Sequence, residues 1–168
     1  KKIAIFGIGG VGHMAIQFAK IEGCEVSAIS RKEKHLDVAK KLGADNVFVY
    51  SSSQEQFLQD VNKKYGLFDA AIVFAPVDEV TDTAIKSIKK GGTVVVATVG
   101  KIPNFLAFEE KTIRGTLIGS RKDMEDVIRI SDENKLEVVT ETFPLEQANE
   151  ALVKLKNSEI DARAVLIP

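Results

Sequence analysis

Four apolar residues, Ile3, Ala4, Ile5 and Phe6, run into a cluster of glycines, beyond which Val11, Met14, Ala15, Phe18 and Ala19 recur at helical spacing. The pattern predicts a strand, a tight turn and a helix, and the chain then repeats it. Residues 25–29 (EVSAI) form a short buried strand, and residues 31–42 a charged helix stopped by Gly43 in the C-terminal cap position. Residues 47–50 are a third strand, the serines at 51–53 supply a helix cap, and Phe57, Leu58, Val61 and Tyr65 form the stripe of a third helix. Residues 69–74 (DAAIVF) are a fourth strand. Pro76 breaks the chain, Val80, Ala84, Ile85 and Ile88 mark a fourth helix, and Gly91 and Gly92 turn it into a fifth strand, TVVVATVG. A sixth strand is predicted over residues 113–118 (IRGTLI), beginning at Ile113. Strands that are apolar throughout are buried on both faces, so the alternation predicts a parallel sheet with helices on both sides.

The last fifty or so residues break this rhythm. Met124, Val127 and Ile128 lie on a helix over 121–133, residues 138–142 are extended, Leu145, Ala148, Leu152 and Leu155 mark another helix, and residues 164–167 a terminal strand. The six-stranded sheet does not need this tail. We therefore divide the chain into a dinucleotide-binding part, 1–120, and a C-terminal tail, 121–168, that packs on, or partly belongs to, a further domain. The sequence opens on Lys1 and enters its first strand by residue 3, as expected of a piece of a longer polypeptide.

Composition narrows the chemistry. The chain has 168 residues, 45% of them hydrophobic, and a formal net charge of -1, which gives no global reason to expect nucleic acid or a membrane surface as partner. Cys24 is the single cysteine, which excludes a disulfide framework, and with His13 and His35 it cannot assemble a zinc site. No metal site and no catalytic residue are expected within the chain. The lack of a long apolar run or a basic leader leads us to expect a soluble, cytoplasmic protein.

Gly7-x-Gly9-x-x-Gly12 fits a dinucleotide-binding pattern in its required context, after a strand and opening a helix. Gly7 allows the tight turn, Gly9 lets the backbone approach a pyrophosphate, and Gly12 lets helix and strand pack closely. Unpaired N–H groups and the positive end of the helix dipole then attract phosphates.

The end of the second strand bears on which dinucleotide is bound. Where an NAD site usually places an Asp or Glu for the ribose hydroxyls, this chain has Ser30, followed by Arg31, Lys32 and Lys34. No carboxylate repels a 2′-phosphate there and several cations attract it. At ~4 Å and an effective dielectric near 20, one such pair has a gross Coulomb attraction of about 4 kcal/mol before desolvation and screening. The expectation is NADP(H), with NAD(H) the weaker alternative.

These segments together, GIGGVGHMAIQFAK, EVSAISRKEKHLDVAKKLGAD, FDAAIVFAPV, KKGGTVVVATVG, IRGTLIGSRKDMED and the closing FPLEQANEAL and ARAVLIP, resemble the zinc-dependent medium-chain alcohol dehydrogenases. GGVGHMA and the Ser30-Arg31 pair most resemble their NADP-using, cinnamyl-alcohol-dehydrogenase-like branch. The resemblance implies a Rossmann-type doubly wound six-stranded sheet and an oxidoreductase acting on alcohols and aldehydes. It implies that zinc and the proton relay belong to an N-terminal catalytic domain outside this chain. The chain alone would bind cofactor without catalysing.

By the same resemblance, Gly7, Gly9, Gly10, Val11 and Gly12 form the pyrophosphate loop, and Ser30, Arg31 and Lys34 read the 2′-phosphate. Ala75 and Val77 pass the adenosine side. Thr98, Thr116 and Ile118 hold the nicotinamide carboxamide through their backbones, and Arg163 reaches the pyrophosphate. The family also extends its sheet through the sixth strand across a dimer, and that strand here lacks the lysines, proline or bulge that discourage edge pairing. A homodimer through residues 113–118 is expected.

His13, in the first turn of the glycine-loop helix, is expected to be packed or solvated rather than to touch cofactor. Cys24 is expected to be a small buried hydrophobe, and KDMED a solvated helix start suited to the helix dipole. Two other functions fit the glycine loop: a non-catalytic module sensing NAD(P)H, and the cofactor domain of a zinc-free quinone or enoyl reductase. The closing segments argue against a sensor, which has no need of them.

Overall fold

The computed structural model describes residues 1–50, 53–102 and 106–168. Six parallel strands form one sheet: β1 (Lys2–Phe6), β2 (Glu25–Ser30), β3 (Asn46–Val49), β4 (Phe68–Val73), β5 (Ile88–Val96) and β6 (Thr112–Gly115), in the order β3-β2-β1-β4-β5-β6. The helices between them are α1 (Gly12–Ile21), α2 (Glu33–Lys41), α3 (Gln54–Tyr65) and α4 (Asp78–Ser87).

The side-chain alternation of β1 shows why both faces are covered. Ile5 enters a core with Ile16, Val26, Val38 and Ala39, under α1 and α2. Its neighbours Ala4 and Phe6 point the other way, into a core with Phe57, Val61, Ala84 and Ile88, under α3 and α4. Phe57 anchors that second core, its ring centroid 6.2 Å from Phe6 and 5.1 Å from Tyr50. The chain winds one way from β1 to β3 and the other way from β4 to β6. That reversal opens a crevice at the carboxyl ends of β1 and β4.

Several boundaries differ from the sequence expectation. The fourth helix ends at Ser87, and Ile88 opens β5 opposite Phe68. Gly91 and Gly92 do not end a helix: residues 89–92 loop out between the Phe68–Ile88 and Ala70–Thr93 pairings, with Gly91 at φ 73°. Strand β5 ends at Val96, with one further bond from the Ala97 N–H to the Val73 carbonyl, short of the predicted 100. The sixth strand covers Thr112–Gly115 and not 113–118, because its partner β5 ends opposite Gly115. Leu117 and Ile118 lie beyond it, 86% and 87% exposed. Of the serines at 51–53, Ser53 caps α3 by accepting from the Gln56 N–H, while Ser51 and Ser52 lie outside the described residues.

The tail adds a second, two-stranded sheet to the six-stranded one. Helix α5 (Arg121–Asn134) starts in a capping box between Ser120 and Asp123. Strand β7 (Thr140–Pro144), helix α6 (Ala148–Lys156) and strand β8 (Arg163–Ile167) follow, and β7 and β8 pair in parallel. Phe143, Ala151 and Ile160 form its small core. The apolar residues that mark its helices in the sequence face outward: Leu152 and Leu155 on α6, and Met124 and Ile128 on α5, are all exposed.

Candidate dinucleotide-binding site

The glycine loop lies between β1 and α1 and is built for close approach. Gly7 turns the chain at φ 92°, and a side chain there would meet the backbone nitrogen of Ala75 at 2.8 Å. A side chain at Gly12 would collide with the carbonyl of Gly7, so helix and strand could not meet. A side chain at Gly9 would meet nothing within 4 Å, which leaves the backbone there free to be approached. No side chain caps α1, and among the described residues the N–H groups of Val11 and Gly12 have no acceptor. These are the donors an anion takes at a helix start.

The cleft above the loop has a volume of about 890 Å³, within the range of a cofactor-sized site. Gly7, Gly9, Gly10, Val11, Gly12, Ser30, Arg31, Ala75, Val77 and Arg163 line it. Lys34, Thr98, Thr116 and Ile118 do not. Thr98 follows Ala97, whose N–H continues the β4 pairing to Val73 and which itself lines the cleft. The Thr116 N–H bonds the Val96 carbonyl at 3.0 Å, so Thr116 and Ile118 stand past the end of β6.

The tail decides what becomes of the cations. Lys34 pairs with Asp161 at 2.7 Å and also donates to the Glu159 carbonyl, away from the cleft. Lys32 donates to the carbonyls of Asn157 and Ser158, at 3.0 and 2.7 Å. Arg31 is exposed and, among the described residues, makes no ion pair. Arg163 reaches the loop from the start of β8, its side chain 3.5 Å from where a Cβ on Gly10 would sit. Gly10 is therefore the glycine that the tail requires, since the Ala162 carbonyl lies 3.1 Å from the same point.

Two histidines flank the site. His13 is fully buried, its Nδ1–H donating to the Gly9 carbonyl at 2.9 Å, and its Nε2 has no partner. Burial pushes its pKa below the ordinary imidazole value and the nearby Arg163 charge adds to this, against the Gly9 bond. His13 thus buttresses the loop from behind. His35, on the first turn of α2, lines the cleft and contacts Ser30 and Ile160. Tyr50, at the end of β3, also lines it, held by Thr83 at 2.9 Å, and burial raises its pKa. Neither His35 nor Tyr50 stands in a recognisable motif. The signal in the sequence that marks them is position, since each follows the carboxyl end of a strand on the β1–β3 side of the switch in strand order. Cys24 is half-buried against the α1–α2 core.

A parallel sheet in this order, with a glycine turn leading into an uncapped helix at its switch point, defines a nicotinamide-dinucleotide-binding domain of the dehydrogenase type. A family model described as zinc-binding dehydrogenase matches residues 10–133, and the chain belongs to that family. It is 33% identical to an alcohol dehydrogenase of Geobacillus stearothermophilus over 98% of its own length and 50% of that protein. The crystal structure of the alcohol dehydrogenase of Aeropyrum pernix superposes with a TM-score of 0.89 at 26% identity, covering 99% of this chain and 50% of that one. Acetophenone reductase of Geotrichum candidum, solved in complex with NAD, gives 0.84 at 27% identity, covering 99% and 48%. The chain spans about half the length of the curated relatives it matches.

A dinucleotide fits the residues present: the loop is open at Gly9, the α1 N–H groups await an acceptor, and Arg31 and Arg163 supply charge. Zinc does not fit them. Among the described residues no group of three or more His, Cys, Asp or Glu side chains could hold a metal ion. No helix among them is long and apolar enough to cross a membrane.

Proposed function

We propose that this chain is the cofactor-binding half of an NADP(H)-dependent alcohol dehydrogenase, binding the dinucleotide but not catalysing alone. The observation that carries this is the loop itself: Gly9 open to the cleft, uncapped N–H groups at the start of α1, and Arg163 standing beside Gly10. When bound, the nicotinamide supplies the hydride acceptor or donor. The chain's residues bind and orient it: loop N–H groups and Arg163 take the pyrophosphate, and Ala75 and Val77 wall the adenosine side. Thr98, Thr116 and Ile118, past the ends of β5 and β6 and outside the cleft lining, would hold the nicotinamide carboxamide through their backbones. Arg31 is the cation left for a 2′-phosphate once Lys34 is paired with Asp161.

Alcohol binding, proton transfer and any zinc belong, on this proposal, to a catalytic domain outside the sequence. The half-length match and the outward apolar residues of α5 and α6 support it. A second copy would pair with β6 at the open edge of the sheet. Calorimetric titration tests the core of the proposal: NADPH should bind in the micromolar range and NADH more weakly. Tighter NADH binding overturns the specificity, and no binding of either overturns the cofactor assignment.

A further inference from the structure

His35 makes two bonds of opposite demand. Its Nε2 lies 3.3 Å from the carbonyl of Ile160, which can only accept, so that nitrogen carries a hydrogen. A neutral ring protonated at Nε2 has a bare Nδ1, and the Ser30 hydroxyl, 3.4 Å away, must donate to it. The single hydroxyl hydrogen of Ser30 is then committed. Its oxygen accepts from the Lys32 N–H at 3.4 Å and has one further lone pair to offer. That suits a ribose hydroxyl, which can donate, and opposes a phosphate dianion, whose oxygens only accept.

Protonation of His35 reverses the bond. Nδ1–H would donate to Ser30, freeing the serine hydroxyl to donate to a phosphate oxygen, and a positive charge would appear in the cleft wall. Ser30 and His35 both line that wall. The other charges facing His35 are Lys34 on its own helix, Lys32 just before that helix, and Asp161 on the tail, where Asp161 pairs with Lys34.

We propose that Ser30, His35 and the Ile160 carbonyl form a hydrogen-bond chain of fixed polarity that tunes the 2′-phosphate preference supplied by Arg31, lowering it when His35 is neutral and raising it when His35 is protonated. The tail, through Ile160, sets the polarity. The inference rests on the cofactor assignment above and makes His35 a specificity-determining residue. Burial lowers the pKa of His35, so the change falls on the acid side of an ordinary histidine. A 2′-phosphate has its own pKa near 6 and weakens its binding on acidification, but it does so equally in wild type and variant.

The test is calorimetry of the full-length protein with NADP⁺ and NAD⁺, which tolerate acid, from about pH 8 to about pH 5.5, in wild type and His35→Gln. The preference for NADP⁺ over NAD⁺ should rise about tenfold more in wild type than in the variant as the pH falls. Parallel pH dependence, with binding intact, overturns the inference alone. Failure of both cofactors to bind at any pH overturns it together with the cofactor assignment. Nitrogen NMR of wild-type His35 at the alkaline end gives a reading that needs no variant: hydrogen on Nε2 and none on Nδ1 is expected, and the opposite tautomer refutes the chain.

Discussion

The carbonyl oxygen of Gly7 occupies the space that any side chain on Gly12 would need. Two residues of one loop thereby lock β1 to α1. Replacing Gly12 by alanine should destabilise the fold by about 1–3 kcal/mol, since neither backbone can give way without disturbing the turn. For a domain of this size that is a fall of several degrees in the melting temperature. Gly9→Ala meets nothing and should melt within about 0.5 kcal/mol of wild type while losing cofactor affinity, because its methyl enters the space for the pyrophosphate. Thermal denaturation and calorimetry of the two variants separate the roles.

Arg31 and Lys34 look equivalent in sequence but should behave differently. Arg31→Ala is expected to weaken NADPH about tenfold or more and to leave NADH nearly unchanged, because only the phosphate needs the charge. Lys34→Ala should leave the NADPH affinity close to wild type and loosen the tail. Its pair with Asp161 is about 40% exposed on each side, so the loss of stability is at most about 1 kcal/mol. Hydrogen exchange over residues 157–161 would register it.

Acidification should destabilise the fold before any carboxylate titrates. In the unfolded chain both histidines take up a proton near pH 6.5. In the fold, burial holds His13 and His35 neutral to lower pH, so below that point the unfolded state binds more protons and stability falls. Asp45 and Asp69, held below the usual carboxylate range by Lys20 and Lys89, add a further loss at lower pH. The urea midpoint is expected to be lower at about pH 5.5 than at pH 7, with a smaller difference in His13→Gln. A midpoint that rises on acidification would falsify this account.

The proposed dimer has its own test. Pairing through β6 would draw the exposed Leu117 and Ile118 toward the second copy. Sedimentation equilibrium should give twice the chain mass, and the double substitution Leu117→Lys and Ile118→Lys should shift it to monomer. A wild-type protein that stays monomeric at high concentration removes the proposal.

Much of the fold was legible because it depends on local patterning. Unbroken apolar runs such as DAAIVF specify strands buried on both faces, and the spacing of Phe57 and Val61 specifies a helix lying on them. Each of Gly7, Gly9 and Gly12 has a distinct local demand, so the pattern located the loop. The end of β6 was not legible, because a strand stops where its partner stops, and β5 stops at Val96.

The sequence by itself determined the alternation of strand and helix, the glycine loop and the serine that stands in place of a carboxylate at the end of β2. Tertiary structure alone decided which cations stay free. Nothing near residue 34 says that Asp161 and the carbonyls of residues 157–160 will arrive from over a hundred residues away. Local propensity is written in neighbouring residues, whereas the charge left over in a cleft depends on everything that folds against it.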